Sequence, residues 1–185
     1  MSRLSGELET KGAPKTMTYP VNVQAAYDAD NLYLRLSFKA PAGGADHSDK
    51  DNEVKATMMF PNDKVPLADQ AGCWSACHED SKGMPKGKDK TKYVSAGAMD
   101  LMQWKSSGKS VDGFVADKRN MEGGKAGATA EGAKAGDTYT VTFTRKLAGN
   151  AVLAAGKAVP FGIAIHADNA AGRFHHVSFG HTIGL

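Results

Sequence analysis

Residues 137–145 read Asp-Thr-Tyr-Thr-Val-Thr-Phe-Thr-Arg, the clearest strand pattern in the chain. Tyr139, Val141 and Phe143 fall on one face of this stretch, and the threonines fall on the other. Strict alternation of this kind is typical of a β-strand that buries one side. The stretch therefore predicts a strand that packs one face into a core.

The same alternation recurs on either side of this strand. Residues 21–27 and 32–38 alternate around the turn sequence Asp28-Ala29-Asp30-Asn31, so we expect a hairpin. Further strands are predicted at residues 53–60, 159–166 and 173–183. At least six strands without strand–helix alternation predict an all-β fold, an antiparallel β-sandwich.

The middle of the chain differs in composition and in residue pattern. Residues 64–97 show no clean period, residues 98–105 have a short helical pattern, and residues 108–136 are rich in Gly, Ala and Lys. The length of the chain predicts one domain over residues 1–185. Long loops and one or two short helices would form an irregular insertion at about residues 64–136, and such long loops usually carry function.

Composition excludes several classes of protein. The chain has 185 residues and a formal net charge of +3, which is too weak to predict nucleic-acid binding. No apolar run approaches the ~20 residues of a membrane-spanning helix. With two cysteines, no disulfide framework can form.

Both cysteines lie in one short motif, Gly72-Cys73-Trp74-Ser75-Ala76-Cys77-His78. The signal for covalent attachment of haem is C-x-x-C-H, and this motif has one extra residue between the cysteines. The chemical demand is the same, since two thiolates must reach the vinyl groups of one porphyrin and the next imidazole must reach its iron. The motif predicts one covalent haem c on Cys73 and Cys77, with His78 as an axial ligand.

Two other interpretations of the motif stay open. A zinc site would need further ligands, and structural zinc sites usually use more cysteines. A reduced or redox-active thiol pair without a cofactor is the second alternative.

The chain resembles the ethylbenzene-dehydrogenase-related haem-binding domains, also called cytochrome c-552–DMSO-reductase-like. Four stretches carry the resemblance: residues 27–34, 73–80, 99–105 and 161–185. The family includes haem subunits of periplasmic dimethylsulfoxide-reductase-type enzymes and c-type versions, some attached to multihaem cytochromes of the NapC/NirT kind. The resemblance implies a β-sandwich that holds haem between loops at one end, for electron transfer.

The second axial ligand has three candidates. Members without covalent haem use methionine and lysine, and the resemblance places the family's lysine near His175. By period two, His175 shares a face with Val177 and Phe179, which predicts that it points inward. His176 is the candidate if the register slips by one residue. Met84 is the rival, because methionine is a common axial ligand.

Trp74 and Trp104 are predicted to be apolar walls of the haem, although any core would use them equally. The predicted function is one-electron transfer with redox partner proteins rather than catalysis. The alternatives are a haem-based sensor with a weakly held sixth ligand and a ligand-binding sandwich without haem.

The predicted location is the periplasm, because thioether attachment takes place outside the bacterial cytoplasm across this family. Residues 1–7 contain no signal-peptide core. We therefore expect the chain to be a mature form or an excised domain.

Overall fold

The computed structural model describes residues 18–40, 53–65, 68–71, 97–116, 119–166, 176–179 and 181–185. In this part the chain forms one short helix, α1, and eleven strands, β1 to β11. Helix α1 is Ala68–Ala71. The strands are β1 Val21–Tyr27, β2 Asn31–Lys39, β3 Lys55–Pro61, β4 Met99–Lys105, β5 Ser110–Val115, β6 Arg119–Asn120, β7 Thr129–Ala135, β8 Thr138–Lys146, β9 Ala158–His166, β10 His176–Val177 and β11 His181–Gly184.

The strands form two antiparallel sheets. The first sheet has the order β1-β2-β8-β7. The second has the order β10-β9-β3-β4-β5-β6, and β11 also pairs with β9. The main core lies between the two sheets and is filled by leucines, aromatic residues and Met58 and Met102. The predicted all-β antiparallel sandwich is confirmed.

The predicted hairpin is confirmed as β1 and β2, which pair from Val21 with Phe38 to Tyr27 with Leu32. The turn between them is held by Asp28, whose Oδ1 accepts hydrogen bonds of 2.8 Å from the backbone N–H groups of Asp30 and Asn31. Because these bonds stabilise the ionised carboxylate, they lower the pKa of Asp28.

Strand β8 confirms the strand predicted from residues 137–145, the clearest strand pattern in the chain. Tyr139, Val141 and Phe143 are buried in the main core. Strand β8 lies between β2 and β7, so its backbone is paired on both sides.

The predicted helix at residues 98–105 is wrong, because these residues form β4. Strand β4 pairs with β3 on one side and β5 on the other. Both of its faces are buried, and a strand buried on both faces loses the polar–apolar alternation that identifies a strand. Leu101 and Trp104, three residues apart, therefore lie on opposite faces of a strand and not on one face of a helix.

The predicted surface excursion at residues 108–136 is also wrong in its described part, which contains β5, β6 and β7. The irregular insertion does not extend over these residues. Turn glycines produced the loop-like composition, and Gly108, Gly123 and Gly136 have positive φ values of 87°, 78° and 58°. Glycine adopts this region without the steric penalty that other residues meet.

One glycine of β7 is required by packing rather than by backbone conformation. A Cβ atom built on Gly132 would lie 2.5 Å from Cε2 of Trp104, well inside contact distance. The absent side chain thus lets β7 lie directly against the indole.

We expect Gly132→Ala to lower the free energy of unfolding by about 1–3 kcal/mol, the usual cost of overpacking a core. Urea denaturation measures the change. Gly184→Ala in β11 is the matched control, since a Cβ at Gly184 meets no atom within 4 Å. Equal midpoints for both variants would contradict this account.

Candidate haem-binding face

The second sheet buries residues on the face that points away from the main core. Six of them form a separate buried group, here called the outer cluster: Met59, Val65, Ala68, Met99, Leu101 and Val115. Val111, Met121 and Val177 pack against it and are partly buried. The water-facing side of a sandwich sheet usually carries polar residues, so this buried apolar group shows that other parts of the protein, including Val65 and Ala68, pack over this face.

Strand alternation explains which side chains reach this face. In β3, Ala56, Met58 and Phe60 belong to the main core, whereas Met59 belongs to the outer cluster. In β4, Met102 and Trp104 face the main core, and Met99 and Leu101 face outward.

Two polar side chains continue the buried outer face along the same strands. Thr57 and Gln103 are directly paired across β3 and β4, and both are buried. The Gln103 Nε2 donates a hydrogen bond of 2.9 Å to the Thr57 hydroxyl. This bond offsets the cost of burying the two groups.

The segment that carries the cysteine motif begins and ends beside this face. Helix α1 precedes Gly72 directly, and its Ala68 is part of the outer cluster. At the other end, the N–H of Asn62 donates a 2.9 Å hydrogen bond to the carbonyl of Ala98, which leads into β4. The described residues on both sides of the motif thus lie at the same end of the second sheet, where β3 ends and β4 begins.

Most of the predicted haem site lies outside the described residues. This holds for the attachment cysteines Cys73 and Cys77, the axial ligand His78, the predicted wall Trp74 and the candidate ligands Met84 and His175. His176 and Trp104 are described.

His176 begins β10 and lies on the face towards the main core. Its ring stacks on Tyr19 with 5.0 Å between ring centroids, and Tyr19 in turn contacts Phe38 of the main core. Val177, the next residue, packs on the outer cluster. Neighbouring residues of a strand point to opposite faces, which is why His176 faces the main core and Val177 faces the outer cluster.

The final strand is not continuous, contrary to prediction. His176 pairs with Ile165 and Val177 with Ala164, but His181 pairs with Phe161. Ser178 is hydrogen-bonded to Ile163, so two residues separate Ser178 from His181 while only Gly162 separates their partners. The pairing with β9 therefore shifts by one residue between Ser178 and His181, and a shift of one residue exchanges the two faces.

The structure differs from the prediction for this segment in two ways. Phe179 is predicted to be inward with Val177, yet this residue is 55% exposed. After the shift in pairing, Ile183 packs on the main core although Val177 packs on the outer cluster.

Trp104 lies in the main core, between the sheets. Its ring is T-shaped to Tyr139 at 5.7 Å between centroids. The indole thus has the core role that the sequence left open, and it faces away from the outer cluster. Met99 is buried in the outer cluster, and Met102 is buried in the main core.

A cavity of about 510 Å³ lies beside α1 at one end of the sandwich. Val65 and Ala68 of the outer cluster line it, together with Val159 of β9 and the polar residues Asn150 and Lys157. Its volume is in the range of small-molecule and cofactor sites.

Within the described part of the chain, no three His, Cys, Asp or Glu side chains converge as ligands of a metal do. None of the described helices is long and apolar enough to cross a membrane.

Sequence reasoning missed the outer face itself. The helical interpretation of residues 98–105 hid it, because the structure places Met99 and Leu101 on the outer face and Met102 and Trp104 in the main core.

Comparison with known proteins identifies the family. A family model described as ethylbenzene dehydrogenase matches residues 3–137. Cytochrome c-551 of Rhodocyclus tenuis is 49% identical over 180 residues, which cover 97% of this chain and 70% of that protein. Cytochrome c-552 of Stutzerimonas stutzeri is 50% identical over 176 residues, 88% of this chain, and the match spans only 60% of that relative's length. The chain belongs to the ethylbenzene dehydrogenase family, as its sequence resemblance predicted.

Proposed function

We propose that this chain is a c-type cytochrome domain that carries one electron on a single haem c, attached through Cys73 and Cys77. The cysteine–histidine motif beside the buried outer face is the observation that carries this proposal. Two relatives at 49% and 50% identity that are named cytochromes c support the same cofactor.

The described residues fit a haem. The outer cluster offers a buried apolar surface, and a porphyrin needs one because its faces are apolar. Cys73 follows Ala71 by two residues, and two peptide units span at most ~7 Å between Cα atoms. A thioether on Cys73 would therefore be held near α1.

Haem iron supplies reversible one-electron oxidation and reduction. The protein's part is to hold the axial ligands, to exclude water and to set the charge around the group. His78 and a second side chain would hold the iron, and they would leave no iron position open to a substrate. This arrangement favours an electron carrier over an enzyme and over a gas sensor.

We propose His175 as the second axial ligand. The support is that Val177 packs on the outer cluster, and that side chains two positions apart in a strand share a face. His176 is the weaker candidate, because its ring is stacked on Tyr19 on the opposite face. Met84 stays an alternative that the variants below discriminate.

We expect His175→Ala to convert a low-spin haem to a high-spin haem that binds carbon monoxide. Loss of a strong-field axial ligand opens the sixth position. Visible spectra of the dithionite-reduced protein, with and without carbon monoxide, measure the change. His176→Ala is the matched control and should leave the low-spin spectrum unchanged.

Each other outcome has a definite meaning. An unchanged spectrum in His175→Ala together with a high-spin spectrum in His176→Ala would transfer the role to His176. Unchanged spectra in both, with a change in Met84→Ala, would assign the ligand to Met84. Carbon monoxide binding by the unmodified protein would favour the gas-sensing alternative.

The proposal includes location and partners. Thioether formation outside the cytoplasm favours the periplasm, and a carrier of one electron requires redox partner proteins as donor and acceptor. Reduction of the purified holoprotein, followed by its reoxidation by an artificial one-electron acceptor without product formation, tests the carrier role.

A further inference from the structure

One end of the outer face carries a row of basic side chains. Lys55 of β3 pairs directly with Lys105 of β4 on one side and with His166 of β9 on the other. We call Lys55, Lys105 and His166 the basic row. All three share the outer face with Thr57, Gln103 and Ala164, since each lies two residues along the same strand.

The basic row places like charges opposite one another in the sheet, which is unfavourable without a neutralising anion. Glu53 partly fulfils this need, with its Oε1 at 3.7 Å from the Lys105 Nζ and its side chain almost fully buried. Its Oε2 accepts a further hydrogen bond from the N–H of Ser107 at 3.3 Å. None of the described carboxylates forms an ion pair with Lys55, which is half-buried.

The polarity of the outer face changes steadily along β3 and β4. Met99 and Pro61 lie at the apolar end next to α1, the Thr57–Gln103 pair lies between, and Lys55 and Lys105 form the opposite end. Lys105 lies six positions after Met99 along the strand, a distance of about 20 Å. A haem has the same polarity, with apolar vinyl groups at one edge and two carboxylates at the other.

We propose that the basic row binds the propionate carboxylates of the haem, with Lys55 as the principal partner. This inference rests on the proposed function, because it requires a haem tethered beside α1. The thioethers and the basic row would then hold opposite edges of the porphyrin. The row is a positioning and charge-setting element and not part of the axial ligation.

A cation beside the propionates has a consequence for the redox equilibrium. Ferric haem carries one more positive charge than ferrous haem, so a nearby ammonium group disfavours the oxidised state. Lys55 therefore raises the midpoint potential. It also keeps the propionates ionised, because an opposite charge at close range lowers the pKa of a carboxyl group.

The test is Lys55→Gln in the holoprotein. We expect a lower midpoint potential, and a shift by about one pH unit upward of the pH at which that potential begins to vary with pH. The propionate bending bands of the resonance Raman spectrum should also shift, while the low-spin bands stay in place. Lys134→Gln is the matched control, because it removes the same charge from an exposed residue of the first sheet.

Lys55→Arg should restore the potential and the Raman bands, since it restores the charge. Lys105 is tested by Lys105→Gln combined with Glu53→Gln, because this pair of changes leaves no unpaired buried carboxylate. Unaltered propionate bands in both the Lys55→Gln variant and this double variant would overturn the inference.

The haem content of the same preparations separates this inference from the proposed function. The pyridine haemochrome spectrum measures it. A protein without covalent haem would refute the proposed function itself. Covalent haem present in all variants, with equal potentials and Raman bands, would refute only the role of the basic row.

Discussion

The variant Cys73→Ser/Cys77→Ser is expected to lose covalent haem completely. Each thioether needs a sulfur, and the chain has no other cysteine that could substitute. Intact-mass measurement under denaturing conditions should give the polypeptide plus one haem for the unmodified protein and the bare polypeptide for the variant. The reduced spectrum should lose its sharp α and β bands after extraction with acidified acetone.

Single substitutions serve as the controls for this result. Cys73→Ser and Cys77→Ser each leave one sulfur and should retain haem through one thioether, at lower yield and with an altered α band. Unmodified protein, matured in cells that attach haem to other cytochromes, could instead show the bare polypeptide mass. That outcome would contradict the cofactor and would revive the zinc and thiol-pair interpretations.

The second large effect concerns the buried ion pair between the sheets. Asp100 of β4 and Arg145 of β8 are both 0% exposed, and the Arg145 Nη2 lies 3.1 Å from the Asp100 Oδ2. Three further donors reach the same carboxylate: the N–H and Nδ2 of Asn150, and the N–H of Ala151. Each carboxylate oxygen thus accepts two hydrogen bonds.

The buried Arg145 guanidinium is in turn stabilised by the Asp100 carboxylate. Burial lowers the pKa of the Arg145 guanidinium, and the charge of Asp100 opposes that shift. The guanidinium also donates to the carbonyls of Lys146 and Ala151 and lies 4.8 Å from the centre of the Phe60 ring. The pair thereby joins the two sheets and the loop after β8.

We expect Asp100→Asn to lower the free energy of unfolding by about 3–5 kcal/mol, because it leaves a buried cation without a counter-charge. The amide of asparagine would also point an NH2 group at donors that now bind a carboxylate oxygen. Urea denaturation of the holoprotein, followed by far-UV circular dichroism, measures the loss.

Asp137→Asn is the matched control, because Asp137 forms a 3.0 Å ion pair with Lys39 in which both side chains are largely exposed. We expect little change there, since exposed pairs contribute little. A second variant, Asp100→Leu/Arg145→Met, removes both charges and should be more stable than Asp100→Asn. Equal denaturation midpoints for Asp100→Asn and Asp137→Asn would contradict this role of the buried pair.

Local patterns predicted three of the four strands of the first sheet, β1, β2 and β8, for a physical reason. Strands β1, β2 and β8 lie in a sheet whose other face meets water, so β2 and β8 alternate between buried and exposed positions. The turn chemistry of Asp28 is equally local. Strand alternation and turns of this kind can be predicted from sequence, because each residue's environment follows from its own position in the strand.

The second sheet was harder to predict. Strand β4 is buried on both faces because the outer cluster covers one side and the main core the other, and neither neighbour is adjacent in sequence. A stretch buried on both faces has no period that a short window can detect. The one-residue shift in pairing after Ser178 could not be predicted either, because it is defined by pairing with β9 and exchanges faces without any local sequence signal.

By itself, the sequence determined the sandwich class and the family and predicted the chemistry of the cysteine–histidine motif, because side-chain alternation and thiol–imidazole spacing are encoded over a few residues. Only the tertiary structure decided that Trp104 belongs to the main core and that a buried apolar face borders the motif. It alone also aligned Lys55, Lys105 and His166. These three residues come from distant parts of the chain, and the register of three paired strands brings them into one row.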